Sequence, residues 1–144
     1  EMHVDNDTRM DHVQPDCVSN ELYKHVLNDE STAVFNGKVY VARGSQRINA
    51  YQQNDTIVLT NEAQIYTKPE LEIYADDVVC SHGATTGQVD EEGVFYLRSR
   101  GISERRARIL MLQAFSQEVI DEIQIDALRE FVVEAVRTRF ASYF

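Results

Sequence analysis

Between residues 33 and 97 the apolar positions come in short pieces: "AVFNGKVYVA", "INAYQQNDTIVLT", "QIYTKPELEIYADDVVC" and "GVFYL". Within them Val39 and Val41, then Ile57 and Leu59, then Leu71, Ile73 and Ala75 alternate with neighbours that face the other way. A period of two is the mark of a strand, and Val, Ile, Tyr and Thr suit a pleated surface. Turn-forming pairs punctuate the pieces: Asn36-Gly37, Gly44-Ser45, Asn54-Asp55, Asn61-Glu62, Lys68-Pro69, Asp76-Asp77 and Glu92-Gly93. These turns recur at roughly eight to ten residues, with no helical period across the span.

Evenly spaced short strands fit a sandwich, a barrel or a solenoid. Polar strands such as "RINAYQQNDT" favour the solenoid. There each strand pairs on both sides with the coils above and below, whereas a sandwich strand needs a cleaner apolar face. No repeat of fixed period is visible along the chain.

After Gly101 the period changes. Ser103 is placed to cap a helix from Glu104 to about Ile123, with Ala107, Leu110, Met111, Ala114, Phe115, Val119 and Ile123 along one stripe. Asp126 is placed to cap a second helix over 127–142, with Leu128, Phe131, Val132, Ala135, Val136, Phe140 and Tyr143 as its apolar stripe. The two form a hairpin joined by "QID". Two helices alone cannot cover both stripes, so the remaining face needs either the chain's own strands or another protein. The division expected is a strand domain over 1–100 and a helical hairpin over 101–144.

Composition narrows the function classes. The chain has 144 residues, 43% hydrophobic and 26% charged, an ordinary globular balance. No run approaches the roughly 18 apolar residues of a membrane span. The formal charge is −10: residues 1–100 hold eight basic and seventeen acidic side chains, residues 101–144 six and seven. An acidic surface repels phosphate backbones, which disfavours nucleic acid as a partner. Two cysteines make no disulfide framework, and a reducing cytoplasm is expected. The chain opens on Glu1 rather than Met, and is read as a piece of a larger protein. Five arginines cluster in "RSRGISERRAR" (98–108), either as a solvated helix start or as a docking patch for an acidic surface.

The chemistry centres on "DDVVCSHGATTGQV" (76–89). On a strand Cys80 and His82 point to one side, about 6.6 Å apart along the chain, with Val78 before them. Val79, Ser81 and Gly83 take the other side. A thiolate and an imidazole could supply half a metal site, but zinc or an iron–sulfur cluster generally needs four ligands. His3, His12, Cys17 and His25 are spread along the chain and make no second pair. The plainer alternative is a buried cysteine and a satisfied histidine within a strand. The acidic pairs Asp76-Asp77 and Glu91-Glu92 flank turns, where solvated carboxylates are common, so catalysis is disfavoured. No phosphate-binding glycine loop of the Walker type occurs, so nucleotide hydrolysis would fall to a partner.

Three stretches taken together carry a family resemblance: "AVFNGKVYVARGSQRINAYQQN" (33–54), "TKPELEIYADDVVCSHGATTGQVDEEGVFYLRSRGIS" (67–103) and "ARILMLQAFSQEVIDEI" (107–123). With "MDHVQPDCVSNELYKHVL" (10–27) they cover nearly the whole chain. The text resembles the carboxy-terminal part of the SufB/SufD scaffold family of the SUF iron–sulfur cluster assembly system. It is closer to the SufD branch, although SufB-like paralogues share the "FYL" and "SRG" text.

The resemblance implies the last coils of a right-handed parallel β-helix followed by a small α-helical domain. It implies a non-catalytic scaffold that pairs with SufB and docks the SufC ATPase through its C-terminal helices. Arg105, Arg108, Leu112 and Phe115 are the candidate contacts for that ATPase. His82, with Cys80 as a weaker companion, is implied at the SufB interface as a transient ligand, with no stably bound cofactor and an iron–sulfur cluster only in transit. The strand Val78, Val79, Cys80, Ser81, His82, Gly83, Ala84, Thr85 and Thr86 is the expected dimer edge when SufB is absent. A rival reading without any cluster is a plain interaction module built on the helical hairpin.

Overall fold

A computed structural model describes residues 2–144. Six strands come first: β1 (His3–His12), β2 (Val18–Leu27), β3 (Thr32–Val41), β4 (Ile48–Val58), β5 (Gln64–Ile73) and β6 (Val78–Gly87). Three helices follow: α1 (Glu91–Ser99), α2 (Glu104–Asp121) and α3 (Asp126–Ala141). The protein is mainly β, with two three-stranded sheets ordered β1-β3-β5 and β2-β4-β6. The chain alternates between the sheets, and the pairs β1/β3, β3/β5 and β2/β4 are parallel.

The corners stack as the strands do. Arg47 makes a two-pronged ion pair with Asp16 at 2.5 and 2.6 Å, and its amide donates to the Asp77 carbonyl at 2.6 Å. Arg47 and Asp16 both hold positive φ, at 58° and 62°. Non-glycine residues adopt this region rarely, and the paired side chains help fix them there.

The alternation read in the sequence for Val39 and Val41 holds: Ala33, Phe35, Gly37, Val39 and Val41 of β3 all turn inward and are buried. Facing them on β4 are Ile48, Ala50, Gln52, Asn54 and Thr56, also buried. One core cluster holds Val39, Val41, Ile48, Ala50 and Ala75, with Met10, Cys17, Leu71, Val78 and Cys80 against it. A second joins Leu27, Ala33 and Ala63. Between them Phe35 packs on Tyr23 and His25, and the rest of the filling is polar. His25 bonds Asn54 at 2.8 Å and Asn6 at 3.1 Å, and Asn54 donates to Thr67 at 3.0 Å. Side chains on β5 and β6 are less covered, and Ile73 is exposed, because each of these strands lies at the edge of its sheet.

The segment "GVFYL" is helix, not strand. Asp90 caps α1 by accepting from the Glu92 amide at 3.0 Å, and Glu91 and Glu92 put negative charge in the first turn. At the other end Gly101, at φ 86°, donates to the Arg98 carbonyl while Ile102 donates to that of Leu97. This is a Schellman stop, which glycine permits at left-handed φ. A five-residue apolar run does not distinguish strand from helix by itself; the caps decide it.

The described residues divide into two compact units, one ending at Thr86 and one spanning Gly87–Phe144, so the break falls earlier than residue 100. In the second unit Ser103 caps α2 as expected, accepting from the Arg106 amide at 3.4 Å. The buried stripe of α2 is Ala107, Ile109, Leu112 and Ile120, so only Ala107 of the expected stripe is fully buried. Asp126 does not cap α3. Ile125 occupies that position without a side-chain bond, and Asp126 is the first helical residue, paired with Arg129.

Candidate functional site: the edge strand β6

The strand β6 carries every residue singled out for cluster chemistry. Val78 and Cys80 are half-buried and lie against the core cluster; Val79 and Ser81 are exposed. His82 falls two residues past Cys80 and is exposed, as are Ala84, Thr85 and Thr86. Gly83 is half-covered because the Gln53 side chain lies where its Cβ would stand. His82 is therefore outside the apolar filling, on a strand that ends its sheet.

Burial pushes the Cys80 thiol above its ordinary value, and a backbone hydrogen bond at Ala50 opposes the shift only in part. Such a thiol stays protonated at neutral pH and is a weak nucleophile until a metal or cation draws off the proton. Both Cys17 and Cys80 are free. Among the described residues no group of three or more His, Cys, Asp or Glu side chains could hold a metal ion. Cys80 and His82 can supply at most part of a ligand set.

The four residues expected to meet an ATPase do not form one outward face. Leu112 has 0% exposure and sits in the helical core. Its place in the partner-contact set is corrected: it packs α2 within the unit. Arg108 makes a two-pronged bond to Glu91 at 2.9 and 3.0 Å and a further one to Glu104, which ties α1 to α2. Arg105 donates to the Ala141 carbonyl at 2.9 Å and so closes the end of α3. Phe115 is half-buried. The exposed apolar side chains lie elsewhere, with Phe131 at 70% and Leu128 at 47% on α3, and Phe95 on α1.

Comparison with known proteins gives this geometry its context. A family model described as the SufBD core domain of SUF system FeS cluster assembly matches residues 1–115. The chain belongs to the SufBD family.

Its relatives include the iron–sulfur cluster assembly protein SufD of Escherichia coli, 38% identical over 135 residues, which are 94% of this chain and 32% of that protein. An iron–sulfur cluster assembly SufBD family protein of Synechocystis is 44% identical over 125 residues, 87% of this chain and 28% of the relative. One from Mycobacterium leprae is 35% identical over 142 residues, 93% and 36%. The chain thus spans about a third of the length of the curated relatives it matches. The SufBD match takes in all six strands, with Cys80 and His82, and stops inside α2; α3 lies beyond it. No helix among the described residues is long and apolar enough to cross a membrane.

Sequence reasoning missed Asp55, Lys24 and Gln53, which make a part-buried cluster on the β2-β4-β6 sheet. It also missed that α3 is the helix with the open apolar face. A lysine and an aspartate inside two polar strand segments, Lys24 and Asp55, which the β2–β4 register sets side by side, were the available signal for the first.

Proposed function

We propose that this SufBD chain is part of a SufD-type scaffold that performs no catalysis of its own. In this reading the strands wind as a right-handed parallel β-helix, the last rung faces a SufB-type partner, and an iron–sulfur cluster passes through that seam as cargo. The observation that carries the reading is the placement of Cys80 and His82 together on an exposed edge strand that holds too few ligands alone. A soft thiol and an imidazole suit iron, and a second chain would bring the missing donors. The alternation of the chain between two parallel sheets supports the β-helix. The cellular place that fits is the cytoplasm, where both thiols stay reduced; neither a membrane nor a nucleic acid is a partner.

The helices then dock an ATPase of the SufC kind, with Leu128 and Phe131 of α3 as the apolar contacts, while Arg105 holds the opposite end of α3 at Ala141. Arg108 and Leu112 serve that surface from within by holding the helices together. When a SufB-type chain is absent, the β6 edge pairs with a second copy of itself, because unpaired strand amides invite strand addition.

The reading is tested with H82A in the complete natural protein, in cells that depend on it for cluster supply. Co-purification of the scaffold partner and the ATPase should survive while the activity of iron–sulfur enzymes falls. Normal enzyme activity with H82A would end the claim for this residue. ATP hydrolysis by the purified chain should not exceed background.

A further inference from the structure

Asp55 gathers bonds from all three strands of one sheet. Lys24 of β2 reaches its Oδ2 at 2.7 Å. Gln53, two residues before it on β4, donates to Oδ1 at 2.5 Å, and the Thr85 hydroxyl of β6 donates to the same oxygen at 2.6 Å. The ion pair is mostly covered, with 12% of the Lys24 side chain and 16% of that of Asp55 exposed. Gly83 leaves room for the arrangement: a Cβ there would make the end of the Gln53 side chain, whose amide turns toward Asp55, move aside.

An edge strand is held by one backbone ladder instead of two, so it opens more readily than the strands behind it. A carboxylate that accepts charged and neutral donors away from water makes stronger bonds than an exposed one. Thr85 lies three residues beyond His82, so this contact fixes the outer side of β6 close to the two candidate ligands. We infer that Asp55, acting through Thr85, is a positioning residue that holds β6 in register and so presents Cys80 and His82 to the partner chain. The inference rests on the reading of β6 as the partner-facing rung.

The test uses the complete natural protein with T85V, T85S and D55N. Two local readouts are the hydrogen exchange of amides 78–87 and the rate at which iodoacetamide alkylates Cys80. A lost bond to a charged acceptor should speed both about tenfold in T85V and in D55N. The urea midpoint should fall in T85V by no more than that one bond is worth, and T85S should restore the starting rates. Cluster supply in cells should fall with T85V and recover with T85S. If D55N fails to fold, T85V with its T85S rescue decides the matter.

Cys80 alkylation within about twofold of the unmodified protein in T85V would overturn the inference, on a scale where one such bond is worth about tenfold. So would exchange that rises evenly through all six strands instead of mainly in β6, since Thr85 would then be structural only. Cluster loss in H82A with normal behaviour of T85V would reject the positioning role and keep the reading of β6. Normal cluster supply in H82A would reject that reading, while the exchange and alkylation rates would still judge the contact.

Discussion

The Nδ1 of His25 lies 2.8 Å from Oδ1 of Asn54 in the interior between the sheets. An amide oxygen only accepts, so His25 carries its proton on Nδ1. Its Nε2 then accepts from the Asn6 amide at 3.1 Å, while Asn54 donates onward to Thr67 at 3.0 Å. The neutral ring satisfies every partner. A second proton, on Nε2, would face the Asn6 amide donor and force it to turn.

That relationship sets a pH dependence. Burial draws the His25 pKa below 6.5, and the bond to Asn54 opposes the shift without cancelling it. The unfolded chain therefore takes up a proton at a pH where the folded ring still resists one. The contribution of His25 to stability is full above 6.5 and is lost as the pH falls from there toward the lower folded value. Urea midpoints measured from neutral pH downward should decline less steeply in H25Q than in the unmodified protein. Equal slopes would remove His25 as the source.

Gly37 gives a packing prediction. A Cβ there would stand 2.6 Å from both Gln52 Oε1 and Phe35 Cζ, and both side chains are fully enclosed. G37A should cost about 1–3 kcal/mol, the usual range for overfilling a close-packed interior. G87A meets nothing within 4 Å and should change stability little. Urea unfolding of the two variants side by side checks the contrast.

The helical unit separates a structural residue from a contact residue. L112A empties a fully buried position and should cost about 2–5 kcal/mol. Reduced ATPase binding in that variant would report on folding. F131D alters a side chain that is 70% exposed, so circular dichroism and the urea midpoint should hold while co-purification of the ATPase is lost. Retained co-purification with F131D would move the docking surface away from α3.

The legible parts of the fold were those where one local rule decides. Val39 and Val41 announced β3 because inward and outward positions differ cleanly there, and Ser103 announced α2 because a hydroxyl caps the helix it precedes. The polar run "RINAYQQNDT", read as favouring a solenoid, falls largely in strand β4, which pairs in parallel with β2. That Gln52, Asn54 and Thr56 would be the buried set was not legible, since their enclosure depends on His25, Thr67 and Phe35 from other strands. "GVFYL" misled because its Schellman stop at Gly101 lies outside the run. Paired strands lie 29 to 32 residues apart, so their spacing is uneven and shows no fixed repeat. In the candidate site, Cys80 and His82 stood out by their chemistry. Leu112 misled because the stripe of α2 is rotated from the one expected, and an interior position was taken for a face.

The half-site on β6 is tested most directly by a photo-activated cross-linker placed at position 82 of the complete natural protein, with a second at Tyr66 on the exposed outer side of β5 for comparison. Irradiated in cells, position 82 should join to a second scaffold chain of the same assembly system, and position 66 should not. Adducts from position 82 confined to its own chain, or equal yields from both positions, would contradict the account.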